Sequence, residues 1–192
     1  MTNNTLEADL ALQESLLPGV SRTFALTIPE LPGQLRVAVT NAYLLCRIAD
    51  TIEDDAELEA EDKQRFHEQF VAVVAGHADP EALADALYPA LSEKTPAEER
   101  DLIQQIPAVV RVTHSLNPAP RQALERCVRV MCAGMPQFQR KTSIHGLNTV
   151  KDLEEYCYYV AGVVGEMLTE LFADHSTRMA TRRAEMMSLA VS

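Results

Sequence analysis

Residues 46 to 55 read CRIADTIEDD, a stretch in which Arg47, Asp50, Glu53, Asp54 and Asp55 interrupt apolar positions. On a helix turning about 100° per residue with Tyr43 as zero, Arg47 falls near 40°, Asp50 near −20°, and Asp54 and Arg36 near 20°. Glu53 flanks that stripe. Val37, Ala38, Ala42, Leu44, Leu45, Cys46, Ile48, Ala49 and Ile52 occupy the rest of the circumference. A surface helix has a broad polar face and an apolar stripe, and here the widths are inverted. A helix packed on most sides, with its polar stripe facing an internal cleft, reads this way. Carboxylates one turn apart, roughly 5–6 Å, repel by about 3 kcal/mol at an effective dielectric near 20. Mg²⁺ turns that cost into attraction, because it takes one or two carboxylates and completes its shell with water and phosphate oxygens. The blander reading is a solvated acidic helix end, and it is the one adopted for Asp55, Glu57, Glu59 and Glu61. An EF-hand is excluded, since Ile52 stands at the third ligand position and no glycine follows at the sixth.

The elements that must position these groups are helical. The chain has 192 residues, 47% of them hydrophobic, with only seven glycines. Alanine, leucine, glutamate, glutamine, methionine and arginine are plentiful, and no long run alternates strictly, which predicts an all-α single domain over 1–192. Proline and glycine mark the breaks. They predict helices over about 5–17, 34–55, 59–75 and 80–88, and over 96–116 with Pro107 as a kink. Further helices are expected over about 120–140, over 150–173 with Asn148 or Thr149 as cap, and from 177 onward. A short element with a turn at Pro29 to Gly33 follows the first helix, and IHGLNTV reads as a loop.

A formal net charge of −11 argues against sequence-independent nucleic-acid binding and means that any phosphate ligand needs a metal bridge or local arginines. Cys46, Cys127, Cys132 and Cys157 form no CxxC pair, so reduced, buried thiols and a cytoplasmic location are expected. No apolar run approaches the roughly 20 residues of a bilayer span, and no secretory signal is apparent. Zinc spacings, HExxH and GxSxG are absent from the sequence, and GVVG sits mid-helix without the lysine and serine of a phosphate loop.

SRTFALTIPELPGQLRVAVTNAYLLCRIADTIEDD resembles the first half of the squalene/phytoene synthase family, closest to its squalene synthases. EYCYYVAGVVGEMLTELF, residues 155 to 172, is similar to that family's tyrosine-bearing helix, and MCAGMPQF, residues 131 to 138, to its methionine-bearing channel helix. The resemblance implies an isoprenoid synthase helical fold around a central cavity. It also implies head-to-head condensation of two farnesyl diphosphates through presqualene diphosphate to squalene, with Mg²⁺ driving ionisation and NADPH the reduction. Phytoene or dehydrosqualene synthesis is the alternative within the family. By the same resemblance Asp50, Glu53 and Asp54 hold metal, and Ser21, Arg22, Phe24, Tyr43 and Arg47 contact diphosphate or NADPH. Met131 and Met135 would line the channel with Phe138, and Tyr156 would handle the proton of cyclopropane closure. From the residues alone, Ser21 reads equally as a cap, Phe24 as a core aromatic, Arg47 as the i, i+3 partner of Asp50, and Tyr156 as a buried tyrosine. Gly162 and Gly165 allow close approach by a helix or an isoprenoid.

The family's second aspartate-rich helix finds no counterpart in residues 173 to 192, where Asp174 stands alone. The expectation is a domain cut short at its C-terminus, inactive and poorly stable by itself. A non-catalytic helical protein binding an isoprenoid or a partner is the reading from another class. Peripheral membrane association and oligomeric state stay open.

Overall fold

Proline and glycine punctuate the helices much as their backbone chemistry requires. The computed structural model describes residues 3–139 and 147–190, and every regular element among them is helical. The order is α1 (Asn3–Val20), α2 (Phe24–Thr27), α3 (Gly33–Asp54), α4 (Ala60–Val74), α5 (Pro80–Leu87), α6 (Ala97–Gln104), α7 (Ile106–Ser115), α8 (Pro118–Gln139), α9 (Val150–Cys157), α10 (Val163–His175), α11 (Thr177–Ala180) and α12 (Arg183–Ala190). Gly33 and Gly76 take positive φ, 35° and 78°, which a side chain disfavours. Gly76 ends α4, with His77 N donating to Ala72 O across it at 2.8 Å. Thr149 caps α9, its Oγ1 accepting from Asp152 N at 3.0 Å. Pro107 divides 96–116 into α6 and α7 by taking the first turn of the second helix.

α3 is the axis. It packs against α1, α4, α6, α7, α8 and α10, so Leu44, Leu45, Ile48, Ala49 and Ile52 are buried around nearly its whole girth. This is the inverted pattern read from the sequence. Asn41 is the best-partnered polar group at this depth. Asn41, 0% exposed, donates to Val109 O at 2.9 Å and to Gln13 Oε1 at 3.3 Å, and accepts from Thr113 Oγ1 at 2.7 Å. That one amide ties α1, α3 and α7 together. Asp9 reinforces the same corner by accepting two hydrogen bonds from Arg111, at 2.7 and 2.8 Å.

Three departures from the sequence reading have physical causes. α1 runs through Pro18 and Gly19 to Val20, because proline removes one internal donor while the buried Leu17 and Val20 still hold the last turn in the core. α8 starts at Pro118, two residues early, since prolines fit a first helical turn whose N–H groups have no partner. The expected helix over 150–173 is continuous to His175 but contains a π-helical turn, Tyr158–Gly162, between α9 and α10. Gly165 is closed over by α12, where an added Cβ would lie 2.9 Å from Ala190 Cβ. Of the expected loop IHGLNTV, residues 144–146 fall outside the described residues, 147–149 are irregular as expected, and Val150 already begins α9.

Candidate active site

The C-terminal half of α3 carries the stripe past α6 and the segments that follow α3 and precede α6, where a small cleft includes Thr51, Asp54 and Glu99. Tyr43 is fixed first. Its hydroxyl donates to Val20 O at 2.9 Å, binding α3 to the end of α1, and accepts from Arg47 Nη2 at 3.0 Å. Arg47 is therefore aimed before any ligand arrives. Its Nη1 lies 3.9 Å from Glu99 Oε1 on α6, an electrostatic contact longer than a hydrogen bond. Its Nε is buried and makes no hydrogen bond. A guanidinium held at one corner with a donor to spare suits a bidentate oxyanion.

Asp50, one turn on, has its carboxyl pushed up from 3.8 to about 6. Burial is the main cause; Arg47 opposes it, and Asp54 and Glu99 add repulsion. Tyr156 on α9 is pushed upward too, by burial first and then by the negative charges of Glu53, Asp54 and Asp50. Those three carboxylates and the phenol thus share one electrostatic environment, although they come from positions about a hundred residues apart. Phe138 meets the Tyr156 ring edge-on at 5.6 Å, closing the apolar side. Phe24 leans on Tyr43 at 5.3 Å between centroids and is 51% exposed, so the core-aromatic reading of Phe24 does not hold. Ser21 Oγ accepts from Phe24 N at 3.0 Å, the capping role open to it, and Arg22 is exposed in the turn between them.

Met131 and Met135 lie one turn apart on α8, each 1% exposed, with Phe138 on the same face. They are packed in the core cluster. Cys46, Cys127 and Cys132 are free thiols; a hydrogen bond with Cys127 and then burial raise Cys46, and burial chiefly raises Cys132. Cys157 is exposed and Cys46 half-buried, against the expectation of four buried thiols.

Two residues invert the sequence reading. Asp55, read as solvated, is buried and accepts from the backbone N–H groups of Glu57, Leu58 and Ser92 and from Thr95 Oγ1 at 2.6 Å. The ion pair of Arg47 is with Glu99 rather than with Asp50. Glu99 and Lys63 escaped the sequence reading because both come from other helices. Lys63 Nζ, from α4, donates to Glu53 O and so supplies the positive charge that the last turn of α3 lacks.

The residues fit a hard cation in an open site. Among the described residues no group of three or more His, Cys, Asp and Glu side chains is placed to hold a metal ion. Mg²⁺ does not need one, since it keeps most of its shell for water and phosphate. Asp50 and Asp54 supply oxygen donors, and no hydrogen bond from a described residue reaches either carboxylate. A cavity of about 500 Å³ between α4 and α8 is lined by Gln64, His67, Arg129 and Cys132 among others, and by none of these site residues. A smaller cleft of about 120 Å³ includes Thr51, Asp54 and Glu99.

The fold is the helical isoprenoid synthase fold, and the chain belongs to the squalene/phytoene synthase family, which matches residues 17–192. Among its relatives are squalene synthases. That of Eremothecium gossypii is 32% identical over 166 residues, 85% of this chain and 36% of the relative. Squalene synthase LSS of Botryococcus braunii is 34% identical over 160 residues, 81% of this chain and 30% of the relative. The solved complex of TcSQS with the ligand BPH1237 superimposes with a TM-score of 0.76 at 28% identity, covering 96% of this chain and 51% of that one. The chain thus spans about a third of the length of these two sequence relatives and about half of the solved structure. No helix among the described residues is long and apolar enough to cross a membrane.

Proposed function

We propose that this chain carries the first cation- and diphosphate-binding wall of a prenyltransferase that condenses two farnesyl diphosphates head to head, through presqualene diphosphate, to squalene. The observation that carries the reading is the convergence of Arg47, Asp50, Glu53 and Asp54 from α3 with the Tyr156 phenol from α9. Asp50, Glu53 and Asp54 would hold Mg²⁺, which as a Lewis acid neutralises the departing diphosphate and would offset the carboxylates' push on Tyr156. Arg47, steadied by Tyr43, donates to the phosphate oxygens, with Ser21 and Arg22 at the adjoining turn. Tyr156 Oη keeps its proton in this field, so it acts as a hydrogen-bond donor until an anion near it accepts that proton. Phe138, Met131 and Met135 exclude water on the apolar side, which a carbocation requires. NADPH would serve the reductive half, and farnesyl diphosphate the substrate role. Phytoene or dehydrosqualene synthesis differs by not consuming the reductant.

Calorimetric titration of the chain with farnesyl diphosphate and Mg²⁺ tests the reading. Mg²⁺-dependent binding, lost in Asp50→Asn and Asp54→Asn, is expected, and its absence sinks the proposal. Product formation with and without NADPH separates squalene from its alternatives. The expectation from the sequence, that the chain alone is inactive, is overturned by any condensed product. A non-catalytic isoprenoid binder is favoured by the open, single set of carboxylates, and binding without turnover supports it.

A further inference from the structure

Glu99 is the acid that the stripe recruits from outside its own helix. It stands near the start of α6, three residues past Pro96, and that helix packs directly on α3. Its Oε1 lies 3.9 Å from Arg47 Nη1, and its Oε2 lies 3.0 Å from Thr51 Oγ1. The Thr51 hydroxyl also faces Arg47 O at 2.8 Å, so its single proton is shared between a helix carbonyl and this carboxylate. Glu99 is only 21% exposed at its side chain, and Arg47 29%. Tyr43 Oη takes the other end of the guanidinium at 3.0 Å.

We infer that Glu99 is a positioning residue that holds the Arg47 guanidinium short of a direct ion pair with Asp50, whose charge still reaches it, until an oxyanion takes its place. The inference rests on the proposed cation and diphosphate site. Arg47 has two acids within reach, Asp50 one turn along α3 and Glu99 across the helix interface. A direct Arg47–Asp50 pair would occupy a metal ligand with a resident cation. Glu99 draws the guanidinium aside, but at 3.9 Å it makes an electrostatic tether without the directional hold of a short hydrogen bond. Release toward a phosphate therefore sacrifices little. Thr51 anchors Glu99 in turn, so the carboxylate stays behind when the guanidinium moves.

The arrangement has a signature of sign. Glu99→Gln keeps an oxygen acceptor for Thr51 but removes one negative charge. Arg47 then falls toward Asp50, and the site loses attraction for a cation, so Mg²⁺ alone binds roughly threefold to tenfold more weakly. Inorganic diphosphate without metal binds more tightly by a similar factor, because Arg47 loses a competing acid and the anion loses a repelling one. Glu99→Asp retains the charge and stays within about twofold of the unaltered chain for both ligands.

The experiment is calorimetric titration of the chain and its two variants with MgCl₂ and, separately, with sodium diphosphate, alongside thermal melts. Opposite shifts in Glu99→Gln with both near normal in Glu99→Asp support the inference. Shifts of the same direction for both ligands, or none, overturn it while leaving the proposed function standing. Should Glu99→Gln not fold, Glu99→Asp decides alone: a change in either ligand beyond about fivefold overturns the inference. If the unaltered chain binds neither Mg²⁺ nor diphosphate, the proposed function fails and takes this inference with it.

Discussion

Replacing Asp50 by asparagine should stabilise the metal-free protein near pH 7.5 while leaving it little changed near pH 4. The Asp50 carboxyl is raised from 3.8 to about 6, chiefly because α3 carries it into a poorly hydrated space. A carboxyl whose folded pKa is raised contributes in full below the unfolded value, and that contribution is lost as pH climbs through the folded one. The window here is about pH 4 to 6. At about 1.4 kcal/mol per pH unit, the ionised carboxylate costs the folded state on the order of 3 kcal/mol. Part of it comes from Asp54 and Glu99, whose side chains can relax, so about 2 kcal/mol is the expected difference. Urea unfolding of both proteins in chelator, near pH 4 and near pH 7.5, measures it. The curves should nearly coincide at the acidic end and separate at the neutral one, with Asp50→Asn the more stable. Millimolar Mg²⁺ at pH 7.5 should close that gap by stabilising only the unaltered chain. A stability difference that does not vary with pH would refute the reasoning, because desolvation of a charge has no other way to act.

Asp55 should show the opposite sign. Burial alone would raise its carboxyl, but hydrogen bonds from Thr95, Ser92, Glu57 and Leu58 hold it below the ordinary range, so its contribution is present above that value and lost as pH falls. Asp55→Ala should cost about 2–3 kcal/mol at neutral pH by chemical denaturation, and less in acid. Arg111→Ala should destabilise by about 3 kcal/mol and Asp9→Ala by less, since the Asp9 side chain is 6% exposed and would be stranded, whereas Arg111 is 32% exposed and keeps Glu81 at 3.8 Å. Gly134→Ala should cost about 1–3 kcal/mol and change the tyrosine near-ultraviolet circular dichroism, because a Cβ there would sit 2.1 Å from the Tyr159 ring. An unaltered melt would show that the ring does not occupy that groove.

The parts of this molecule that were legible in the sequence are those governed by local chemistry. The boundaries of α3 and α4 came within a residue, since Gly33 and Gly76 sit where the backbone takes positive φ. Asn148 and Thr149 were the two candidate caps, of which Thr149 takes the role, and Pro107 announced its break. Hydrophobic periodicity likewise identified α3 as a helix packed on nearly all sides. What stayed hidden depends on which surfaces meet. Nothing near position 99 marks it as the partner of Arg47; that pairing exists only because α6 packs on α3. The π turn at Tyr158–Gly162 is equally silent, because a single-residue widening leaves the apolar pattern almost unchanged. Asp55 was misread for a related reason. Within an acidic run it looks like its neighbours, and two of its four donors come from the distant segment at Ser92 and Thr95, which no local pattern announces.

That contrast bears on how one helix end can be both a structural junction and a ligand site. The last turn of α3 and its cap place Asp50, Glu53, Asp54 and Asp55 together at the negative end of a helix dipole, where carboxylates are electrostatically misplaced. The fold relieves this selectively. Lys63 answers the Glu53 carbonyl, and four donors saturate Asp55, locking the turn to the segment before α6. Asp50 receives no such help: it is desolvated and pushed upward, with the Arg47 charge opposing that only in part and its ion pair made to Glu99. If acidity alone were being solvated, donors would be shared among the four. They are concentrated on the one acid that faces the returning loop and withheld from the one that faces Tyr156. A carboxylate must be left short of protein donors to ligate a cation, and Asp50 meets that condition where Asp55 cannot.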